Sequence, residues 1–308
     1  MLLLLGAEGL VRGSIRLAHR LGVSSLIVGL TVVALGTSFP ELFVSVIAAA
    51  RGEPGVALGN VVGSNIFNIA VILALAALIR PVQIELRLLR LEIPFVLLIT
   101  LLTTALALDG AIGRVDGGLL LAGFAAYMFS LRRTVRLEGA RKATARPGTA
   151  AAAAGGTLWA PVLMAAVGLV VLLYGAHWLV DSATQIALNL GVSERVIGLT
   201  LVSGGTSLPE LAATLVATAR RESDLAVGNL LGSNIFNMLG ILGASALTRP
   251  LGPSDPFLRL DLPAAILVAL LLLPLARTGW RLSRWEGGLL FALYGVYLWL
   301  VFAGAGGA

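Results

Sequence analysis

Long runs of apolar residues separated by short polar stretches make up most of this chain. They form ten segments, which lie roughly at residues 1–20, 24–50, 55–79, 92–108, 116–132, 159–188, 193–219, 224–247, 261–276 and 286–303. A helix needs about 20 such residues to cross the hydrocarbon core of a bilayer. The pattern therefore predicts an all-α integral membrane protein with ten transmembrane helices.

The ten segments form two copies of a five-helix unit. When the sequence is shifted by 169 residues, GTSFPE at 36–41 meets GTSLPE at 205–210, and GNVVGSNIFN at 59–68 meets GNLLGSNIFN at 228–237. Because five crossings are an odd number, the second copy enters the membrane from the opposite side, as in the inverted repeats of many secondary transporters. We expect a first repeat at 1–135, a cytoplasmic linker loop at 136–158 and a second, inverted repeat at 159–308.

Composition and charge agree with this topology. The chain is 58% hydrophobic and only 12% charged, about half the charged fraction of a soluble domain. With the linker in the cytoplasm, 17 of the 22 Lys and Arg residues fall on the cytoplasmic side, which the positive-inside rule favours. This predicts that both termini lie outside. The basic residues are scattered singly around apolar segments, so we expect no binding to nucleic acid.

The sequence excludes several kinds of chemistry. It contains no cysteine, which removes disulfides, thiolate metal sites and thiol catalysis. It contains neither a G-x-x-x-x-G-K-[ST] motif nor an H-E-x-x-H motif, and its serine motifs have no evident histidine partner. We expect a protein that is not an enzyme.

The first repeated motif places a proline and a carboxylate inside an apolar segment. Pro40 cannot donate a hydrogen bond to the Gly36 carbonyl, so that oxygen is freed. A charge such as that of Glu41 costs at least ~2.5 to 3.5 kcal/mol at the middle of a bilayer, which marks it as functional. Thr37 and Ser38 share its helix face, because they precede it by four and three residues. The second repeat copies this arrangement with Pro209, Thr206, Ser207 and Glu210.

The second repeated motif adds hydroxyl and amide groups. Ser64 and Asn65 precede Asn68 by four and three residues on one helix face, and Ser233, Asn234 and Asn237 copy them. Together the motifs provide only oxygen ligands, which suit Na⁺ and Ca²⁺ rather than zinc or copper. The two glutamates supply enough negative charge to neutralise one Ca²⁺. We expect helices 2, 3, 7 and 8 to be broken at these motifs and to form half of an ion site in each repeat.

Structural explanations remain open for several of these residues. A proline kink lined by hydroxyls can be purely structural, and the asparagine clusters can serve as hydrogen bonds between helices. Gly59, Gly63, Gly228 and Gly232 are expected to pack helices together. We expect the other acids to form ion pairs or helix caps rather than an ion site; these are Glu8, Asp181, Asp109, Asp116 and Glu286.

The two motif pairs closely resemble the signature repeats of the Ca²⁺/cation antiporter superfamily, specifically its prokaryotic sodium/calcium exchanger-like members. The similarity spans essentially the whole chain. It implies ten helices and a central site at the junction of the repeats, with Ca²⁺ exported against Na⁺, against K⁺ with Na⁺, or against H⁺. The ligands that it implies are the carbonyls of Ala34 and Ser203 and the side chains of Thr37, Ser38, Glu41, Ser64, Asn68, Thr206, Ser207, Glu210, Ser233 and Asn237.

We therefore expect a secondary active antiporter that exchanges Ca²⁺ against Na⁺ by alternating access in the inner membrane of a prokaryotic cell. Its expected partners are these ions, with H⁺ or K⁺ as alternatives, and the lipid bilayer; no cofactor and no protein partner are implied. Exchange of Ca²⁺ against H⁺, exchange of another cation, and a passive cation channel remain alternatives. The coupling ion stays open for two reasons. Some members carry an aspartate where Asn237 stands, and SGG at 203–205 replaces the more usual run of a small residue, an apolar residue and glycine.

Overall fold

The computed structural model describes residues 1–145, 158–190, 203–252 and 257–305, and these are helical almost throughout. In chain order the helices are α1 (Leu2–Leu21), α2 (Ser25–Thr37), α3 (Phe39–Arg51), α4 (Pro54–Ile79), α5 (Leu88–Ala107), α6 (Arg114–Ala145), α7 (Trp159–Asn189), α8 (Ser203–Gly205), α9 (Leu208–Ala219), α10 (Ser223–Thr248), α11 (Phe257–Trp280) and α12 (Arg284–Ala305). Two short strands, β1 (Val82–Gln83) and β2 (Arg281–Leu282), pair antiparallel.

The helices follow the apolar segments predicted from the sequence. Six of them, within the described residues, are long and apolar enough to cross a membrane, or seven spans when α2 and α3 count as one broken span. The first helix is shorter than its counterpart in the second repeat, with 20 residues in α1 and 31 in α7. Residues 146–157 of the expected linker and 193–202 of the expected seventh segment lie outside the described residues.

Helix α6 is longer than the apolar segment that predicts it. The sequence indicated an end near residue 132, but the helix continues to Ala145. The additional residues include Arg, Leu, Glu, Ala and Lys, which are good helix formers. The basic residues therefore mark the end of the apolar surface and not the end of the helix, so the start of the expected linker loop is helical.

The predicted breaks in the third and eighth helices are wrong. Helices α4 and α10 continue through GSNIFN and contain π-helical stretches there, at Asn68–Leu73 and Phe236–Ile241. The motif contains no proline, so the chain can widen one turn without losing its helical hydrogen bonds. The predicted breaks in the second and seventh helices are confirmed, because α2 ends before Ser38 and α9 begins after Ser207.

The chain folds into two compact units, and neither unit coincides with one half of the sequence. The first comprises Met1–Ser38 and Ala125–Gly232, and the second comprises Phe39–Phe124 and Ser233–Ala308. Each unit therefore contains elements of both repeats.

In the first unit, α1 and α7 lie against each other along a row of glycines. A side chain at Gly6 or Gly168 would overlap the backbone of the opposite helix, so the two backbones approach as closely as small residues allow. The facing positions are Leu3 with Gly175, Gly6 with Leu172, Leu10 with Gly168, and Gly13 with Ala165. Since one number rises as the other falls, these two equivalent helices of the repeats are antiparallel.

In the second unit, the same contacts occur twice. Val82 pairs with Leu282 between β1 and β2, and Ile112 forms an isolated antiparallel bridge with Leu251. The shift of 169 residues takes Val82 to Leu251. The second repeat contains one inserted residue before its last helix, so a shift of 170 takes Ile112 to Leu282, and one pair maps onto the other. The same duplication relates two glycine contacts, Gly117 against the Gly243 carbonyl and Gly287 against the Ala74 carbonyl. The duplication in the sequence is thus also a duplication of tertiary contacts.

Candidate cation site

The two helix breaks have the same backbone geometry. Ser38 has φ −87° and ψ 9°, and Ser207 has φ −88° and ψ 6°. In both repeats the proline follows two residues later, in the first turn of the next helix, where a missing N–H costs little. The proline therefore starts a new helix and does not interrupt a continuing one. Glu41 and Glu210 follow in the same first turns, where the partial positive charge of a helix N-terminus favours a carboxylate.

In the first unit, polar side chains of both repeats are in contact. The Ser38 hydroxyl donates a hydrogen bond to Glu210 Oε1 at 2.8 Å. The Thr37 hydroxyl lies 3.2 Å from Asn229 Oδ1 and 3.1 Å from the Val33 carbonyl. Thr37, Ser38 and Glu210 are at most 1% exposed. Two predicted ligand hydroxyls from the first repeat thus touch a carboxylate and an amide from the second.

The remaining predicted ligands of this unit differ in their exposure and in their hydrogen bonds. Ser207 is buried and Thr206 is half-buried. The Ala34 carbonyl accepts the backbone N–H of Ser38 at 3.1 Å. Ser203 is the first residue of the short helix α8.

In the second unit, four asparagines form a reciprocal network. Asn65 Nδ2 donates to the Asn234 backbone carbonyl at 3.1 Å, and Asn234 Nδ2 lies 3.4 Å from the Asn65 backbone carbonyl. Asn68 Nδ2 donates to Asn234 Oδ1 at 2.9 Å, and Asn237 Nδ2 donates to Asn65 Oδ1 at 3.0 Å. Each bond has its equivalent when the two repeats are exchanged. Ser64 and Ser233, the predicted ligands nearest in sequence, are also buried.

Two amide oxygens of this network have no hydrogen-bond partner among the described residues. They are Asn68 Oδ1 and Asn237 Oδ1, and both side chains are only 1% exposed. A buried carbonyl oxygen without a partner costs roughly 1–3 kcal/mol. Such oxygens fit a place where a cation binds, since a metal ion can take the role of the missing donor.

Sequence reasoning missed a second pair of asparagines. Asn60 Nδ2 donates to Ser45 Oγ at 2.8 Å and to the Glu41 backbone carbonyl at 3.1 Å, within the second unit. Its equivalent Asn229 donates to Thr214 Oγ1 at 3.1 Å, within the first unit. These bonds hold the helices that carry Glu41 and Glu210 against α4 and α10. The repeat itself contains the signal, because the asparagine and its hydroxyl partner both recur at the offset of 169 residues.

The acids expected to have structural roles do form such contacts. Glu8 pairs with Arg12 at 2.7 Å and also with Arg220. Asp116 accepts the Gly113 N–H and Glu286 accepts the Ser283 N–H, as helix caps do. His177 lies 3.3 Å from Asp181.

Two further acids were not singled out from the sequence. Glu92 pairs with Arg87 at 3.1 Å, and its repeat equivalent Asp261 accepts the Tyr297 hydroxyl at 2.8 Å. No group of three or more Asp, Glu or His side chains able to hold a metal ion occurs in the part of the chain that the structure describes.

A family model described as sodium/calcium exchanger protein matches residues 1–132 and 160–303. The chain belongs to this family. It is 32% identical over 342 residues to the sodium/calcium exchanger MaX1 of Methanosarcina acetivorans, with 98% of each chain covered. It is 37% identical over 259 residues to the inner membrane protein YrbG of Escherichia coli, covering 83% of this chain and 79% of the relative.

A solved structure has the same fold. The sodium-calcium exchanger NCX_Mj, in a crystal soaked with Na⁺ and Ca²⁺, has a TM-score of 0.83 and 34% identity and covers 96% of this chain and 94% of that one. Family membership makes the chain an integral membrane cation antiporter, which confirms the family and the transport class expected from the motifs.

Proposed function

We propose that this family member exchanges Ca²⁺ against Na⁺ across the membrane by alternating access, as a secondary active antiporter that needs no cofactor. The observation that carries the proposal is the burial of Glu41 and Glu210, each 1% exposed, in equivalent first turns behind equivalent helix breaks. Two buried carboxylates neutralise one Ca²⁺, and two or more Na⁺ could replace it without a large change in net charge. The relatives named as sodium/calcium exchangers support the same choice of ions.

The proposed ligands are those that the resemblance implies. They are the carbonyls of Ala34 and Ser203 and the side chains of Thr37, Ser38, Glu41, Ser64, Asn68, Thr206, Ser207, Glu210, Ser233 and Asn237. The contact of Ser38 with Glu210 supports this set. So do the partnerless oxygens of Asn68 and Asn237. All of these ligands offer oxygen, the atom that Na⁺ and Ca²⁺ prefer.

The proposed architecture has ten membrane spans arranged as two inverted repeats. The antiparallel packing of α1 on α7 supports it, because a parallel repeat would place equivalent helices in the same direction. The reciprocal asparagine bonds also support it, since exchanging the two repeats reproduces each bond. This is the behaviour of a pseudo-twofold axis, which in transporters with inverted repeats lies in the membrane plane.

The proposed orientation places the segment 136–158 in the cytoplasm and both termini outside, in the inner membrane of a prokaryotic cell. The distribution of Lys and Arg supports it. Because the chain has no cysteine, a single introduced cysteine carries a unique label. In intact cells, an impermeant maleimide should label Ala303→Cys, near the C-terminus, but should label Ala143→Cys only after lysis. Labelling of Ala143→Cys in intact cells would contradict the orientation.

Flux through reconstituted vesicles tests the transport proposal. Vesicles loaded with Na⁺ and diluted into Na⁺-free medium containing labelled Ca²⁺ should accumulate Ca²⁺, and collapse of the Na⁺ gradient should stop the uptake. Vesicles carrying the Glu41→Gln, Glu210→Gln double variant serve as the background. Uptake driven by a pH gradient alone would assign H⁺ as the coupling ion. Uptake that needs no opposing gradient would indicate a channel and refute antiport.

A further inference from the structure

The network of four asparagines contains two residues to which the proposed function gives no role. Asn68 and Asn237 are proposed ligands, whereas Asn65 and Asn234 are not. All four lie in the second unit and are at most 4% exposed. The side chain of Asn65 spans from the backbone of Asn234 to the amide of Asn237, and the side chain of Asn234 spans from the backbone of Asn65 to the amide of Asn68.

These contacts determine which end of each amide points where. The two ends of an asparagine amide have nearly the same shape, so its orientation follows from its hydrogen bonds. A backbone carbonyl can only accept a hydrogen bond. The end of Asn65 that faces the Asn234 carbonyl, 3.1 Å away, must therefore be its NH₂ group. The Asn65 oxygen consequently faces Asn237 at 3.0 Å, and the group that Asn237 presents to it must be its own NH₂.

This series of hydrogen bonds ends at the oxygen of the proposed ligand. Since the NH₂ group of Asn237 is held by Asn65, its Oδ1 must point away from Asn65, and this oxygen has no partner among the described residues. The same sequence of steps runs from the Asn65 carbonyl through Asn234 to Asn68, whose Oδ1 is likewise without a partner in the described chain. An amide turned the other way would present hydrogen atoms to a cation and repel it.

We infer that Asn65 and Asn234 are positioning residues that make Asn237 and Asn68 present oxygen, not N–H, to the transported cation. The inference rests on the proposed function, because it takes Asn68 and Asn237 as ligands. It also explains why a neutral amide at position 237 can serve as a ligand. A carboxylate at this position would need no orientation, since both of its ends are oxygen, but one of them would face the Asn65 oxygen at about the 3.0 Å now spanned by a hydrogen bond.

The test is a double-mutant cycle on Ca²⁺ binding by the purified chain in lipid nanodiscs, titrated with Ca²⁺ alone at one pH. Asn65→Ala should weaken binding about tenfold, because the Asn237 amide is then free to turn. Asn237→Asp adds a negative charge that favours the cation, but it also places a carboxylate oxygen against Asn65 Oδ1. We therefore expect Asn237→Asp to raise the affinity about tenfold more in the Asn65→Ala background than in the original chain.

The repeat supplies a matched control. Asn234→Ala should couple in the same way to Asn68→Asp, whereas the crossed combination of Asn65→Ala with Asn68→Asp should be additive to within about twofold. A merely structural role in helix packing would not produce this partner-specific pattern. Size-exclusion elution and the thermal unfolding midpoint establish that each variant is folded. If alanine at position 65 prevents folding, Asn65→Ser replaces it, because serine is polar but too short to reach Asn237.

The outcomes separate this inference from the proposed function. Additive effects in all combinations, together with weaker binding by Asn68→Ala and Asn237→Ala, would overturn the positioning role and leave the site intact. Failure of the unaltered chain to bind Ca²⁺, or unchanged binding in both of these alanine variants, would instead overturn the proposed site. Partner-specific coupling in both cycles would support the inference.

Discussion

Glu210→Gln isolates the charge of the proposed site from its packing. Glutamine has nearly the same shape as glutamate, and its carbonyl oxygen can still accept the Ser38 hydroxyl, which now donates to Glu210 Oε1 at 2.8 Å. The side chain is 1% exposed in the first turn of α9. Solvent therefore screens this carboxylate poorly. The main effect of the substitution is that the bound ion loses one neighbouring negative charge.

The magnitude follows from Coulomb's law. At an effective dielectric constant of about 20, two unit charges about 4 Å apart gain about 4 kcal/mol, and a divalent ion gains about twice that. The glutamine carbonyl dipole returns part of this energy. We expect a loss of about 4 kcal/mol for Ca²⁺ and about 2 kcal/mol for Na⁺. These losses correspond to affinities weaker by about a thousandfold and about thirtyfold, respectively.

The assay is equilibrium titration of the purified chain with Ca²⁺ and, separately, with Na⁺. The matched control is Glu286→Gln, which alters another carboxylate that is 1% exposed but caps the start of α12 at Ser283. It should lower the thermal unfolding midpoint and leave the Ca²⁺ dissociation constant unchanged. Ca²⁺ binding by Glu210→Gln within about threefold of the original chain would refute the electrostatic reasoning. So would equal losses for the two ions.

Three further predictions concern single positions. Asn229→Ala removes the amide that joins Thr37 to Thr214; the Thr37 hydroxyl keeps the Val33 carbonyl as an acceptor, so stability should fall by about 1 kcal/mol, measured by denaturant unfolding. Gly168→Val should abolish transport, because any Cβ there would overlap the α1 backbone, whereas Gly295→Ala should be tolerated, since a Cβ there meets nothing within 4 Å in the described chain. Asn237→Asp should make Ca²⁺ flux more strongly pH-dependent than in the original chain. The amide now donates an N–H to Asn65 Oδ1, and a carboxyl can donate to that oxygen only through its O–H, when it is protonated. An unchanged pH profile would contradict this.

The sequence was sufficient to predict the helices and the duplication. A span is a local property, since about 20 apolar residues must lie together to cross a bilayer. For this reason the apolar segments and the observed helices agree to within a few residues over most of the described chain. The motifs GTSFPE and GTSLPE also predicted the breaks near Ser38 and Ser207, because the conformational limits of proline act on its immediate neighbours.

Properties that depend on more than one element required the tertiary structure. The sequence places Asn65 and Asn68 on one helix face, but it does not say that their amides reach asparagines of the other repeat. These partners are Asn234 and Asn237. Asn60 was missed for the same reason, because its partner Ser45 lies on another helix. Hydrogen-bond direction cannot be derived from spacing along a single helix.

The helix boundaries show the same division. The basic residues near position 132 predicted where the apolar surface of α6 ends, but the helix continues to Ala145 because its residues favour helix in or out of lipid. In α4 and α10, the motif predicted a break where the chain forms a widened π-turn. The sequence alone determined which segments are apolar enough to enter a membrane, because burial in lipid depends on each segment's own side chains. Tertiary structure decided which polar atoms face one another, because a buried donor or acceptor is satisfied by whichever group packing brings within reach.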